Sequence, residues 1–207
     1  KAESQTAGEI VTVLAERSDG YTDVALAWSA LLTLLTLALL AIFPECALNM
    51  VAQLQGGWVH QWTHREVFSI AAVFATSVFG LSMILQRIPA LQFLLIPSPI
   101  KAKRVHDRAL RAFRVGTEYR TTGHTGVLIY LSMREHRAEV LADSGIASKV
   151  DGEVWAEALE AMLVHVRNDD VAAGMCAAVD KVGAVLATHV PRLDVNANEL
   201  PDRLIEV

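Results

Sequence analysis

Two cysteines in 207 residues leave little for sulfur chemistry. Cys46 and Cys176 stand in different regions, with no CxxC and no metal-ligand spacing, which excludes a zinc ribbon and a disulfide framework. The chain also lacks any excess of cations. A net charge of −5 argues against a general nucleic-acid binder. Neither a P-loop, a Rossmann glycine pattern nor a metalloprotease motif occurs. Ser132, Ser144 and Ser148 have no GxSxG context, so no nucleophile elbow is signalled.

The most telling absence is local. Residues 24–43 and 67–85 contain no charged residue and no histidine. Each run is about as long as a bilayer core requires, roughly 20 helical residues. Both are expected to span a membrane, and the lack of an intramembrane carboxylate, lysine or histidine excludes a proton relay or ion path through them. The first run is too long, and its flank too acidic, for a signal peptide. The chain opens at Lys1 rather than methionine, so residues are expected upstream. Ala25, Ser29 and Thr33 recur at every fourth position of the first run, and Ala72, Thr76 and Gly80 do so in the second. Such stripes permit close helix approach, expected here within the hairpin itself; the other reading is a partner helix or a second copy.

Charge orients the hairpin. The loop 44–66 carries only Arg65 as a fixed cation, whereas Arg87, Lys101, Lys103, Arg104, Arg108, Arg111 and Arg114 follow the second run. The positive-inside rule then puts both termini in the cytoplasm. Lys101, Lys103, Arg104, Arg108 and Arg111 would also lie near anionic headgroups. Trp58 and Trp62 read as interfacial anchors on the far side. His60 and His64 share a helical spacing, but no third ligand accompanies them. Residues 87–100, apolar and punctuated by Pro89, Pro97 and Pro99, are too short to span; they read as an interfacial linker ended by its prolines.

Beyond the linker, Gly126–Ser132 is a continuous apolar run of strand length, followed by a turn at 133–136 and a second strand at 137–143. A strand apolar on both faces is central and covered by helices on both sides. Helical periodicity marks 105–113, the stretch from Asp151 to Val166, and the stretch from Val171 towards Pro191. Two strands make a poor sheet. Glu9–Ala15 (EIVTVLA) is a buried strand of the same kind before the hairpin, and residues 203–207 supply a short edge. The expected fold is α/β, a mixed sheet flanked by helices, with a two-helix transmembrane hairpin inserted after the first strand. The corresponding division is 1–21 for the first strand, 22–86 for the hairpin, 87–100 for the linker and 101–207 for the rest of a cytoplasmic domain.

The segments GEIVTVLAERSDGY (8–21), HTGVLIYLSMREHRAEVLADSGI (124–146) and NDDVAAGM (168–175) resemble the TPM-domain family. That family occurs in bacterial membrane proteins and in thylakoid proteins linked to photosystem repair. The inserted hairpin looks like a bacterial subfamily encoded beside LemA-type membrane proteins. The resemblance implies a mixed sheet flanked by helices, with members described as divalent-cation acid phosphatases and others as auxiliary factors. This chain departs from the family's acidic, glycine-rich GYGLEG-like turn, carrying Asp143-Ser144-Gly145-Ile146 instead. Asp143 and Asp151 offer oxygen ligands to a hard cation, but two carboxylates are too few for a protein-only cage. Turn and N-cap roles are the plainer reading, Asp143 ending a strand and Asp151 capping the helix that follows. His124 and His136 flank the strand pair, and Arg134 and Arg137 are expected to solvate its turn.

An accessory or scaffolding protein of the bacterial inner membrane is therefore expected, a non-enzyme in the first reading. It would associate with a larger complex or with itself and touch anionic lipid, without nucleic acid or an obligate cofactor. The alternative is a membrane-anchored, divalent-cation-dependent phosphatase or hydrolase.

Overall fold

A computed structural model describes residues 6–54, 56, 61–118, 124–191 and 204–206. Trp58 and His60 lie outside the described residues. The chain forms two compact units, one made of Lys1–Gly20 with Ser98–Val207, the other of Tyr21–Pro97.

The first unit is built on a four-stranded sheet. β1 (Glu9–Ala15) runs parallel to β2 (Gly126–Ser132), in register from Glu9 opposite Gly126 to Ala15 opposite Ser132. β3 (Arg137–Ala142) returns antiparallel to β2, and β4 (Ile205–Glu206) lies parallel to β1, giving the order β3-β2-β1-β4. The bounds expected for the first two strands match the observed ones. Alternation divides their side chains between two cores. Val11, Val13, Ala15, Leu128 and Tyr130 meet Val105, Ala109 and Phe113 of one helix, α5 (Ser98–Phe113). Ile10, Val127, Ile129 and Leu131 meet α6 (Ser144–Ala147), α7 (Gly152–Val166) and α8 (Val171–His189). Leu128 and Ile129 are wholly buried on opposite faces; truncating either to alanine would cost about 2–5 kcal/mol.

Three local expectations need correction. α5 starts at Ser98, so Pro99 opens a helix instead of ending a linker. Proline is tolerated there because first-turn N–H groups have no intrahelical acceptor. Asp143 N-caps an unforeseen short helix, α6, accepting from the Ser144 amide at 2.6 Å. Asp151 occupies the N-cap position of α7 but its side chain makes no capping bond. Asp170 does cap α8, accepting from Ala173 N at 2.9 Å. After α5 the helix widens into a π turn, Arg114–Glu118.

The second unit is a helical hairpin. α1 (Thr22–Ile42) packs along α3 (His64–Leu85), and α2 (Pro44–Leu54) lies between them in sequence. α3 is started by a capping box in which the Thr63 hydroxyl accepts from Glu66 N and the Glu66 carboxylate accepts from Thr63 N. α4 (Pro89–Leu95) folds back on the start of α1: Trp28 Nε1 donates to Leu95 O at 3.0 Å, and the Tyr21 and Phe93 rings meet edge-on at 5.8 Å.

Candidate functional site

In the hairpin, polar groups point inward. Ser29 is fully buried, and its Oγ lies 2.9 Å from Ala25 O and 3.1 Å from Ser82 Oγ, its single proton serving one of the two. Gln86 Nε2 reaches Ala25 O, Ser29 Oγ and Ser82 Oγ within 3.1–3.2 Å. Thr33 bonds back to Ser29 O. The first small-residue stripe therefore lines the α1–α3 contact. The second does not: Ala72 and Thr76 are exposed, and a Cβ added at Gly80 would meet nothing within 4 Å. Of the first stripe, Ala25 and Ser29 are buried and Thr33 is half-buried. Two largely apolar cavities, about 260 and 510 Å³, flank α2. Among the described residues their linings carry no charged side chain.

In the α/β unit, a polar cluster sits at the carboxyl ends of β1 and β2. Ser18 N donates to Glu135 Oε1 at 3.0 Å. Ser18 Oγ donates to Ser132 Oγ at 2.9 Å and lies 3.1 Å from the Tyr130 hydroxyl. Ser132 Oγ donates to the other Glu135 oxygen. All four residues are buried. Burial pushes the Tyr130 phenol above its ordinary range, while its hydrogen bond to Ser18 and the charge and hydrogen bond of Arg108 pull the other way. The cluster clasps the loop after β1 to the β2–β3 turn. Its sequence trace is a tyrosine and a serine inside an apolar strand, since a buried Tyr hydroxyl requires a partner.

The basic helix is only partly a free surface. Arg104 pairs with Asp19 at 3.1 Å. His106 meets Glu139 at 2.8 Å, and Arg137 of β3 donates to Ser98 Oγ at 2.8 Å. Lys103 is exposed and Lys101 half-buried. Arg134 pairs with Glu16, tying the same two loops as the clasp. Arg108 and Arg111 border a groove of about 310 Å³ floored by Val11, Val13 and Ile205. That is the lower end of small-molecule site volumes, about 300–1,000 Å³.

Asp143 is buried, and its oxygens are engaged by Ser144 N, Ser144 Oγ and His124 Nδ1. Asp151 is exposed. Among the described residues no three or more His, Cys, Asp or Glu side chains converge on a metal position.

An α/β sheet with helices on both faces, joined to an apolar helical hairpin, defines the class. Residues 92–185 match the family model described as the TPM domain. β1 lies outside the matched range; its membership of the sheet rests on the parallel pairing with β2. The BA42 protein of the psychrophilic bacterium Bizionia argentinensis, solved by NMR, is similar in fold, with a TM-score of 0.53. It is 16% identical, and the alignment covers 100% of this chain and 85% of that one. No curated protein matches the sequence.

Proposed function

We propose that this chain is an accessory protein of the bacterial cytoplasmic membrane, in which α1 and α3 cross the bilayer and hold a TPM domain on the cytoplasmic side. The carrying observation is the inside-out hairpin. Leu34, Phe68 and Ile84 are 65%, 74% and 65% exposed, while Ser29, Ser82 and Gln86 face inward. Exposed apolar surface on helices of 21 and 22 residues suits hydrocarbon. α8 is also long and apolar, but Met175, Ala178, Val182 and Leu186 are spent on the core of the α/β unit, so it is not counted as a span.

The basic stretch after α3 supports this orientation. An auxiliary role is favoured because the buried hydroxyl cluster is closed by its own hydrogen bonds. The outward stripe Ala72, Thr76 and Gly80 leaves α3 a face for a partner helix or a second copy. Alkaline extraction of membranes followed by mass measurement in nanodiscs tests both parts. The protein should stay in the pellet, its 44–63 loop cleavable only from outside, and run as a complex or oligomer. Release into the supernatant would sink the anchor; a bare monomer would sink the accessory role.

A further inference from the structure

We propose that the outer edge of β3 pairs antiparallel with β3 of a second copy of this chain, about a two-fold axis at Ala138. The interface lies within the α/β unit and adds to the accessory reading without depending on the hairpin. In the order β3-β2-β1-β4, β3 is an outermost strand of six residues, against two in β4. The phase of its ladder says which groups face out. Asp143 N donates to Gly126 O, so Arg137, Glu139 and Leu141 also turn their main chain to β2. Ala138, Val140 and Ala142 turn theirs the other way, and among the described residues nothing bonds to them there.

Natural edges are blunted by lysine, proline or a bulge. β3 (RAEVLA) has no lysine or proline, and its one-to-one register with β2 leaves no bulge. Its two charges are opposite in sign and two residues apart, which suits its own copy. Antiparallel pairing about Ala138 sets Arg137 opposite Glu139 of the second copy, twice over, in the closely spaced pairs that share no main-chain bond. The two Ala138 residues then exchange both of their main-chain bonds. An axis at Glu139 would instead oppose two carboxylates, so charge selects the register. Both side chains keep capacity for a partner across the axis. Arg137 spends Nη2 on Ser98, and Glu139 spends Oε2 on His106.

The test is sedimentation equilibrium of the full chain in density-matched detergent, which reads the dissociation constant of the dimer. We expect a dimer, weakened about tenfold or more by Arg137→Glu, which sets carboxylate against carboxylate at both pairs. Adding Glu139→Arg restores opposite signs and should return the constant towards the wild-type value. Ala138→Pro removes an outward N–H while sparing the bonds to β2, and should weaken the dimer by a similar factor. Gly80→Leu should leave association unchanged. A dimer unmoved by Arg137→Glu, or not restored by the double variant, would overturn the interface and leave the accessory reading standing. A monomeric wild type would overturn it too. Loss of the dimer on Gly80→Leu alone would move the second copy to α3 and overturn the proposal as stated.

Discussion

Gly174 stands where α8 passes tightly against α7. A Cβ there would lie 2.8 Å from Met162 O and 2.9 Å from Val166 Cγ2. The carbonyl belongs to a helix and cannot yield alone, so Gly174→Ala should separate the two helices. The expected cost is about 1–3 kcal/mol, read as a lower unfolding midpoint. Tyr130 makes a second prediction at this scale. Its phenol is raised by burial, so the folded state keeps its proton to higher pH than the unfolded chain does. The neutral hydroxyl therefore contributes stability fully present below the unfolded value, about 10, and lost as pH rises through the folded one. Ultraviolet titration of wild type against Tyr130→Phe should show the missing phenolate among the last to form. A Tyr130 signal at the ordinary phenol midpoint would contradict the buried clasp.

Elements differ in how plainly their sequence declares them. β1 and β2 were legible to the residue because a strand buried on both faces must be apolar throughout, and the turns that bound them are polar. α5 was legible only from Val105, where its buried stripe Val105, Ala109 and Phe113 begins; the preceding turn carries prolines and packs too little to leave a period. α6 has only four residues, less than two turns, and left no pattern. The two small-residue stripes look alike in sequence because small residues report that close approach is permitted, not on which side a neighbour lies. Helix phase decides that, and it puts Ser29 inside and Ala72 outside. Ser29→Leu should therefore force α1 from Ser82 and Gln86 and lower the unfolding midpoint in detergent by roughly 3–8 °C. Gly80→Leu, entering open space, should leave the hairpin's midpoint unchanged while disturbing any partner at that face. Equal effects of the two would mean that the observed helix phase is wrong. The hydroxyl clasp was the least legible feature, since Ser18 and Glu135 are 117 residues apart and only the sheet brings them together.

At the scale of the whole molecule, the α/β unit is written in two pieces. β1 contributes a central strand, paired on one side with β2 and on the other with β4, yet about eighty residues of other structure follow it before α5 begins. Removing residues before Ser98 would expose the edge of β2, strip Val11 and Val13 from the α5 core and Ile10 from the α7–α8 core, and take Ser18 out of the clasp. An unpaired apolar edge is also an aggregation template. Residues 98–207 expressed alone should therefore fail to give a soluble monomer. Excising 21–97 instead keeps both pieces. Asp19 and Arg104 are in contact at 3.1 Å, so the ends flanking the excision are near one another across only a few residues. A short glycine-serine linker from Gly20 to Ser98 should then restore a soluble domain with a cooperative melt, since loop-closure cost grows only slowly with length. Circular dichroism and gel filtration of the two forms decide the matter. Cooperative unfolding of 98–207 alone would show that β1 is dispensable, and a linked form that stays unfolded would show that the α/β unit needs the hairpin for more than connection.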